Sequence, residues 1–330
     1  AVLSFTKNAA KEIANRVTKY SSARSAKHPH YIGTIDAWLH GYILHPFAHK
    51  SANFTGRDSN KSFVVVESSA RHNFLSAFSY GQFAANDYYY ECETKVLQPQ
   101  TRYMDVSKLN ANDLSELRKL KIRFLRNGFV TYPDAEFLCY GLLKNNEPIL
   151  NTLAKRFPFI IIDECQDLSF NQIEIIKLLS KAGSKIHLVG DIHQSIYEFK
   201  RVLINKIEEF IVFSNLEEKR LAINYRSNQQ IIEVCQGIKA IHDGETPGTI
   251  HHVQLARLSN ACFLFEYKPA EIRLIPELFI NFIDKINKEI EGKPMIDPFK
   301  CAVLARGKTT LGEMGEYRDK DKVNNSQLFA

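Results

Sequence analysis

No apolar run in the 330 residues approaches the roughly 20 that a membrane-spanning helix needs. The opening Ala-Val-Leu-Ser-Phe-Thr-Lys also lacks the basic-then-apolar layout of a secretory leader. Both absences point to a cytoplasmic protein with no membrane partner. Cysteine is thinly used: Cys92, Cys139, Cys165, Cys235, Cys262 and Cys301 form no C-x-x-C pair, which argues against a zinc ribbon and favours reduced thiols. Internal repeats and low-complexity runs are absent as well. There is no initiating Met, and Ala-Val-Leu-Ser-Phe reads as a buried strand without a lead-in, so the chain is expected to be a piece of a longer one.

What is present reads as globular protein. Hydrophobic residues make up 45% and charged residues 24%, enough for a packed core, and the length favours two domains or one domain carrying an insertion. The net charge of +6 is unevenly spread: Lys7, Lys11, Arg16, Lys19, Arg24 and Lys27 face only Glu12 near the start. Such a basic surface suits a polyanion such as DNA or RNA, and a solvated helix face accounts for the charge equally well.

Apolar periodicity gives a strand at about 1–5, a helix from Ala9 to Val17, a strand over Tyr31–Ile35 and a helix from Asp36. That alternation predicts a parallel sheet. Residues 45–156 break the rhythm with polar and aromatic sequence, including Tyr88-Tyr89-Tyr90, and with helical patterns near 112–126 and 133–145; they read as a mostly helical insertion. Trp38 and the three tyrosines are read as core. Strands at 158–163 and 185–190 enclose a helix at about 170–182, and these continuous apolar strands are expected to be buried on both faces. A strand near Arg220–Ile223, a helix at 227–241, strands near 250–255 and 262–267, an amphipathic helix through Leu278 to Ile290, a strand at Cys301–Ala305 and a polar tail follow.

The junction Phe159-Ile-Ile-Ile-Asp-Glu-Cys-Gln-Asp167 sets two acids at a strand end. Ligands of open parallel sheets bind at that edge. Asp163 can hold Mg²⁺ and Glu164 can deprotonate an attacking water, or both acids can simply favour the positive end of the following helix. The next strand ends in Leu188-Val-Gly-Asp-Ile-His-Gln-Ser-Ile-Tyr-Glu-Phe-Lys200, which adds Asp191 and Gln194, and Ile223-Asn-Tyr-Arg-Ser-Asn228 supplies a guanidinium suited to phosphate charge.

Taken together, Asp-Glu-Cys-Gln-Asp, Gly-Asp-Ile-His-Gln-Ser-Ile-Tyr-Glu-Phe and Asn-Tyr-Arg-Ser resemble the Walker B, third and fourth motifs of superfamily 1 DNA helicases of the UvrD/Rep/PcrA type, in the family's order. Ser4-Phe-Thr-Lys-Asn-Ala-Ala-Lys-Glu-Ile is similar to motif Ia and Ile32-Gly-Thr-Ile-Asp-Ala-Trp38 to motif Ib, while Leu304-Ala-Arg306 resembles the strand opening the second motor domain. The resemblance implies an α/β fold, a RecA-like motor domain with its parallel sheet flanked by helices, and an ATP-dependent helicase or translocase on single-stranded DNA. It implies Mg²⁺ on Asp163, water activation by Glu164, γ-phosphate sensing by Gln194, adenine stacking by Tyr225 and a γ-phosphate contact from Arg226. Asp191 is grouped with the nucleotide-binding residues. Phe5, Thr6, Asn8, Thr34 and Tyr197 would lie along the DNA strand, a basic groove with stacking aromatics. Core packing is the competing reading of Phe5 and Tyr197. Cys165 and Lys200-Arg201-Val202 depart from the family's usual residues.

A phosphate loop of the form G-x-x-x-x-G-K-[ST] is missing. Arg306-Gly-Lys-Thr-Thr310 contains Gly-Lys-Thr, but five residues before Gly307 stands Ala302, within an apolar strand, so no backbone cradle forms there. The family's loop precedes motif Ia. The expected organisation is therefore an interior portion of a helicase: 1–44 and 157–242 from an incomplete first motor domain, 45–156 inserted, and 243–330 a linker and the start of the second. Alone it is expected to be inactive as an ATPase. The competing reading is a non-hydrolysing helicase-like subunit that binds single-stranded nucleic acid or a partner protein. A partner could also dock on the insertion, and DNA repair, recombination and phage defence all use this motor type.

Overall fold

The computed structural model describes residues 1–21, 28–57, 59–70, 72–100, 104–191, 201–219, 221, 223–224, 227, 231–237, 251–252 and 269–289. The chain divides into two units, Ala1–Glu218 and Lys219–Ala330. In the first, four parallel strands, β1 (Val2–Ser4), β2 (Ile32–Thr34), β9 (Phe159–Ile162) and β10 (Lys185–Leu188), lie in the order β10-β9-β1-β2. Register pairs Val2 with Ile161, Ser4 with Thr34, and Ile160 with Ile186. These are the strands that the apolar runs predict, each trimmed by a residue or two.

Two crossover helices serve the sheet. Helix α1 (Lys7–Tyr20) links β1 to β2, and α6 (Phe170–Lys181) links β9 to β10. The two steps run in opposite directions across the sheet, so right-handed connections set α1 and α6 on opposite faces. One face is dry: Leu3, Ile160, Ile162 and Ile186 are buried. The other is not. Phe159 is 52% exposed and Ile161 37%, because α1 spans only the β1–β2 half of that face. The expectation of strands buried on both faces is therefore corrected: β9 alternates exposed and buried along its length.

Between β2 and β9 come α2 (Ile35–Leu39), which runs on as a π-helix over His40–Ala48, then short strands and 3-10 turns, α3 (Ala111–Arg126), α4 (Tyr132–Asn145) and α5 (Glu147–Arg156). Polar residues start these helices: Asn110, Thr131 and Asn146 each accept a backbone N–H at the N-cap. Two-residue β3 (Val64–Val65) pairs in parallel with β8 (Phe129–Val130), and antiparallel pairs join β4 (Ser79–Tyr80) to β5 (Phe83–Ala84) and β6 (Tyr88–Tyr90) to β7 (Leu97–Pro99). Trp38 and Tyr88 are fully buried, with Tyr89 and Tyr90 half-buried. Trp38 packs edge-on against Phe157 at 5.3 Å.

Two buried polar clusters brace this region. Lys121 Nζ donates to Ala85 O (2.5 Å), Tyr88 O (2.6 Å) and Asp134 Oδ2 (2.9 Å). Burial pulls its pKa down and Asp134 opposes the pull, and three acceptors with no donor are what an ammonium requires. The second cluster joins α4 to α6 and α2: Glu136 accepts from Ser169 Oγ (2.7 Å) and Gln172 Nε2 (2.8 Å), and Gln172 Nε2 also reaches Asp36 Oδ1 (3.1 Å). Burial pushes Glu136 up to about 8, with the Asp36 charge adding to the rise against the two hydrogen bonds.

In the second unit β11 (Ile223–Asn224) pairs in parallel with β12 (His251–His252), residues 231–237 are helical, and a helix over Ile275–Glu289 follows a 3-10 turn. The predicted strands at 262–267 and 301–305, the tail and Arg306–Thr310 lie outside the described residues. No helix among the described residues is long and apolar enough to cross a membrane. The described cysteines, Cys92, Cys139, Cys165 and Cys235, are free thiols.

Candidate active site at the carboxyl edge of the sheet

All four parallel strands point their carboxyl ends the same way, so the residues that follow them share one edge. Phe5, Thr6 and Asn8 follow β1, Thr34 closes β2, Asp163 and Glu164 follow β9, and Asp191 follows β10. The predicted residues thus fall into two neighbouring groups, acids over β9 and β10 and the Phe5 group over β1 and β2. Gln194, Tyr197, Tyr225 and Arg226 lie outside the described residues. Of the segment around the last two, Asn224 Oδ1 accepts from Ser227 N at 3.0 Å, within the second unit.

Asp163 is anchored by its backbone: its N–H donates to Leu3 O at 2.9 Å. Its carboxylate is half-buried and accepts no hydrogen bond from the described residues. Glu164 takes a left-handed conformation (φ 56°, ψ 44°), which costs a residue with a side chain about 1–2 kcal/mol. Bonds on either side hold it there: Cys165 N–H donates to Val189 O (3.0 Å) and Asp167 N–H to Glu164 O (2.9 Å). Backbone strain held in place at a strand end makes Glu164 a candidate functional position. Neither acid caps α6, where Ser169 accepts from Gln172 N; Glu164 is the N-cap residue of the short 3-10 turn Cys165–Asp167 and makes no side-chain capping bond there.

Two residues here were not singled out from the sequence. Gln166 is buried and donates from Nε2 to Glu164 Oε2 at 2.5 Å, while its Oε1 accepts from Asp191 N at 3.2 Å. Gly190 leaves room for that amide. The quoted Asp-Glu-Cys-Gln-Asp contains Gln166, but nothing local shows that it reaches the next strand. Burial pushes the Cys165 thiol up to about 11, so it stays neutral beside the two acids.

Thr6 Oγ1 caps α1 by accepting from Ala9 N (3.1 Å), and Thr34 Oγ1 caps α2 by accepting from Ala37 N (3.2 Å). Both hydroxyls keep a proton to donate. Phe5 is 37% exposed, which removes the core reading for its ring, and Asn8 is exposed on the first turn of α1. Lys7, Lys11, Arg16 and Lys19 are exposed on the same helix, with Arg16 paired to Glu12 at 2.7 Å.

As a cation site the edge suits Mg²⁺ accompanied by a nucleotide. Among the described residues no group of three or more His, Cys, Asp or Glu gathers to cage a metal. Mg²⁺ commonly takes one or two carboxylates and fills its shell with water and phosphate oxygens, and Asp163 offers that single ligand.

A parallel α/β sheet flanked by helices, with adjacent acids at the carboxyl end of one strand, is the architecture of a RecA-like helicase domain. Residues 1–212 match the family model of the UvrD/REP helicase N-terminal domain, and the chain belongs to that family. It is 27% identical over 246 residues to a probable DNA helicase II homolog of Mycoplasma capricolum, covering 70% of this chain and 33% of that protein. It is 32% identical over 127 residues to DNA helicase II of Haemophilus influenzae (37% of this chain, 18% of that protein). Identity to ATP-dependent DNA helicase Rep of Buchnera aphidicola from Schizaphis graminum is 32% over 113 residues (33% and 17%). The chain thus spans a third or less of the length of these relatives.

Proposed function

We propose that this chain is part of an ATP-dependent DNA helicase or translocase that couples Mg-ATP hydrolysis to movement on single-stranded DNA. The observation that carries the reading is the left-handed Glu164 beside Asp163 at the end of β9, adjacent to the strand that ends in exposed Phe5. Relatives named DNA helicase II and ATP-dependent DNA helicase Rep support it.

Asp163 would hold Mg²⁺, and the bound Mg-nucleotide supplies the scissile phosphoanhydride with its charge partly neutralised. Glu164 acts as general base. The Gln166 bond occupies Oε2, which leaves Oε1 to take the proton of the attacking water. Phe5 stacks on a base, while Thr6, Asn8 and Thr34 hold the strand's backbone. Gln194, Tyr197, Tyr225 and Arg226 keep the roles that the resemblance implies, and Asp191, at the end of β10, is grouped with the nucleotide-binding residues. Residues 45–156 are read as an insertion between 1–44 and 157–242 and as a surface for a partner protein, with 243–330 leading to a second motor domain. This chain by itself is expected to hydrolyse no ATP.

The test is Glu164→Gln in the full-length protein. DNA-stimulated ATP turnover should fall to near background while nucleotide binding persists. Unchanged turnover would sink the reading and favour a non-hydrolysing subunit whose DNA binding is salt-sensitive and ignores ATP.

A further inference from the structure

Gln166 is only 3% exposed, and the two ends of its amide are spent in different places, one within its own turn and one at the end of the next strand. Nε2 donates to the Glu164 carboxylate and Oε1 accepts from the Asp191 N–H, so one planar group bridges the end of β9 to the end of β10. The fit is tight. A Cβ at Gly190 would stand 2.5 Å from Gln166 Oε1 and 2.6 Å from Cys165 Sγ. The bond from Cys165 N–H to Val189 O closes the same gap through the backbone.

The geometry has a mechanical consequence. The backbone of Glu164 is set by its left-handed φ and ψ, and the orientation of its carboxylate is left to side-chain torsions. Only one hydrogen bond from the described residues restrains them, and it comes from a buried amide whose other end is tied to a different strand. Moving the Asp191 N–H therefore moves Oε1, and the rigid amide carries Nε2 and the Glu164 carboxylate with it.

We propose that Gln166 is a positioning residue that orients Glu164 and couples that orientation to the strand end at Asp191. This rests on the reading of Glu164 as the base that activates water, and adds a control point that the acid pair alone does not have.

Gln166→Glu in the full-length protein separates positioning from packing. It keeps the shape and the acceptor for Asp191 N–H, but replaces the donor to Glu164 with a repelling carboxylate. The expected result is a fall in kcat of roughly 10- to 100-fold, as when a group supporting a site residue is lost. The nucleotide KM and the single-strand Kd should stay within about twofold, and the Asp191 amide should remain protected in hydrogen exchange without nucleotide. Gly190→Ala, which displaces the same amide from its other end, should lower kcat in the same direction with Gln166 intact. It carries the test if the first variant does not fold. A wild-type kcat in the folded variants, or a joint loss of kcat, KM and melting temperature, would overturn the proposal. Glu164→Gln run alongside distinguishes the two failures. If it leaves turnover intact, the catalytic reading itself is wrong; if it abolishes turnover while the Gln166 and Gly190 variants do not, only the positioning role is wrong.

Discussion

Replacing Glu136 by Gln should remove most of the alkaline sensitivity of this fold. Glu136 sits at 6% exposure between Ser169, Gln172 and Asp36, where burial first and the Asp36 charge second raise its pKa to about 8 from an ordinary 4.5. Between those values the folded state holds a proton that the unfolded state has released. Stability therefore falls as pH rises from about 4.5, and the loss is complete above about 8. Each unit of separation is worth about 1.4 kcal/mol, so the full loss is of the order of a few kcal/mol. For a unit of this size that corresponds to roughly 10 °C of melting temperature. Asp36 is raised in the same direction by burial and adds to the effect. A Gln side chain reproduces the protonated acid, its carbonyl accepting from Gln172 Nε2 and its amide donating to Ser169 Oγ. Thermal unfolding followed by circular dichroism from pH 5 to 9 should show a falling wild-type curve and a much flatter Glu136→Gln curve, the variant gaining most at pH 9. Parallel curves, or a wild type whose stability holds steady across that range, would refute the reasoning.

Two further outcomes follow from the geometry. Lys121→Met removes the only cation within reach of buried Asp134 among the described residues and strips a donor from Ala85 O and Tyr88 O; it should cost about 3–5 kcal/mol in denaturant unfolding, and a loss below about 1 kcal/mol would contradict the ion-pair assignment. Phe5→Ala should weaken binding of an oligothymidine strand by about 1–3 kcal/mol, the worth of one stacked base, while leaving the melting temperature nearly unchanged because the ring is exposed; fluorescence anisotropy with an unaltered Kd would remove Phe5 from the DNA path.

The parts of this fold legible in the sequence are those whose causes are local. The apolar runs at Phe159–Ile162 and Lys185–Leu188 mark strands, and the patterns near 112–126 and 133–145 mark α3 and α4. Helix α5 is not among the helices that the sequence pattern marks; Pro148 stands in its first turn, a place to which Pro is well suited. The π-helix over His40–Ala48 carries Pro46 inside it and follows no periodicity that a 3.6-residue pattern detects. Two-residue strands such as β3 and β8 are defined by pairing between distant segments. Lys121 and Glu136 look like surface charges until their acceptors and donors converge from other elements. In the same way Asp163 and Glu164 could be picked out from one stretch, whereas the role of Gln166 depends on a backbone N–H 25 residues further along.

The strand order has a kinetic cost. Val2 pairs with Ile161, so joining β1 to β9 closes a loop of about 160 residues, and contacts of that span are slow to form. The segment in between has its own strand pairs, capped helices and the Lys121 cluster, and folding it first would bring the two halves of the sheet close before they meet. During synthesis β1 must wait, unpaired on the β9 side, until residue 162 has emerged. The Glu136 cluster, which ties α4 to α6 and α2, joins that intervening segment to the elements that flank the sheet strands.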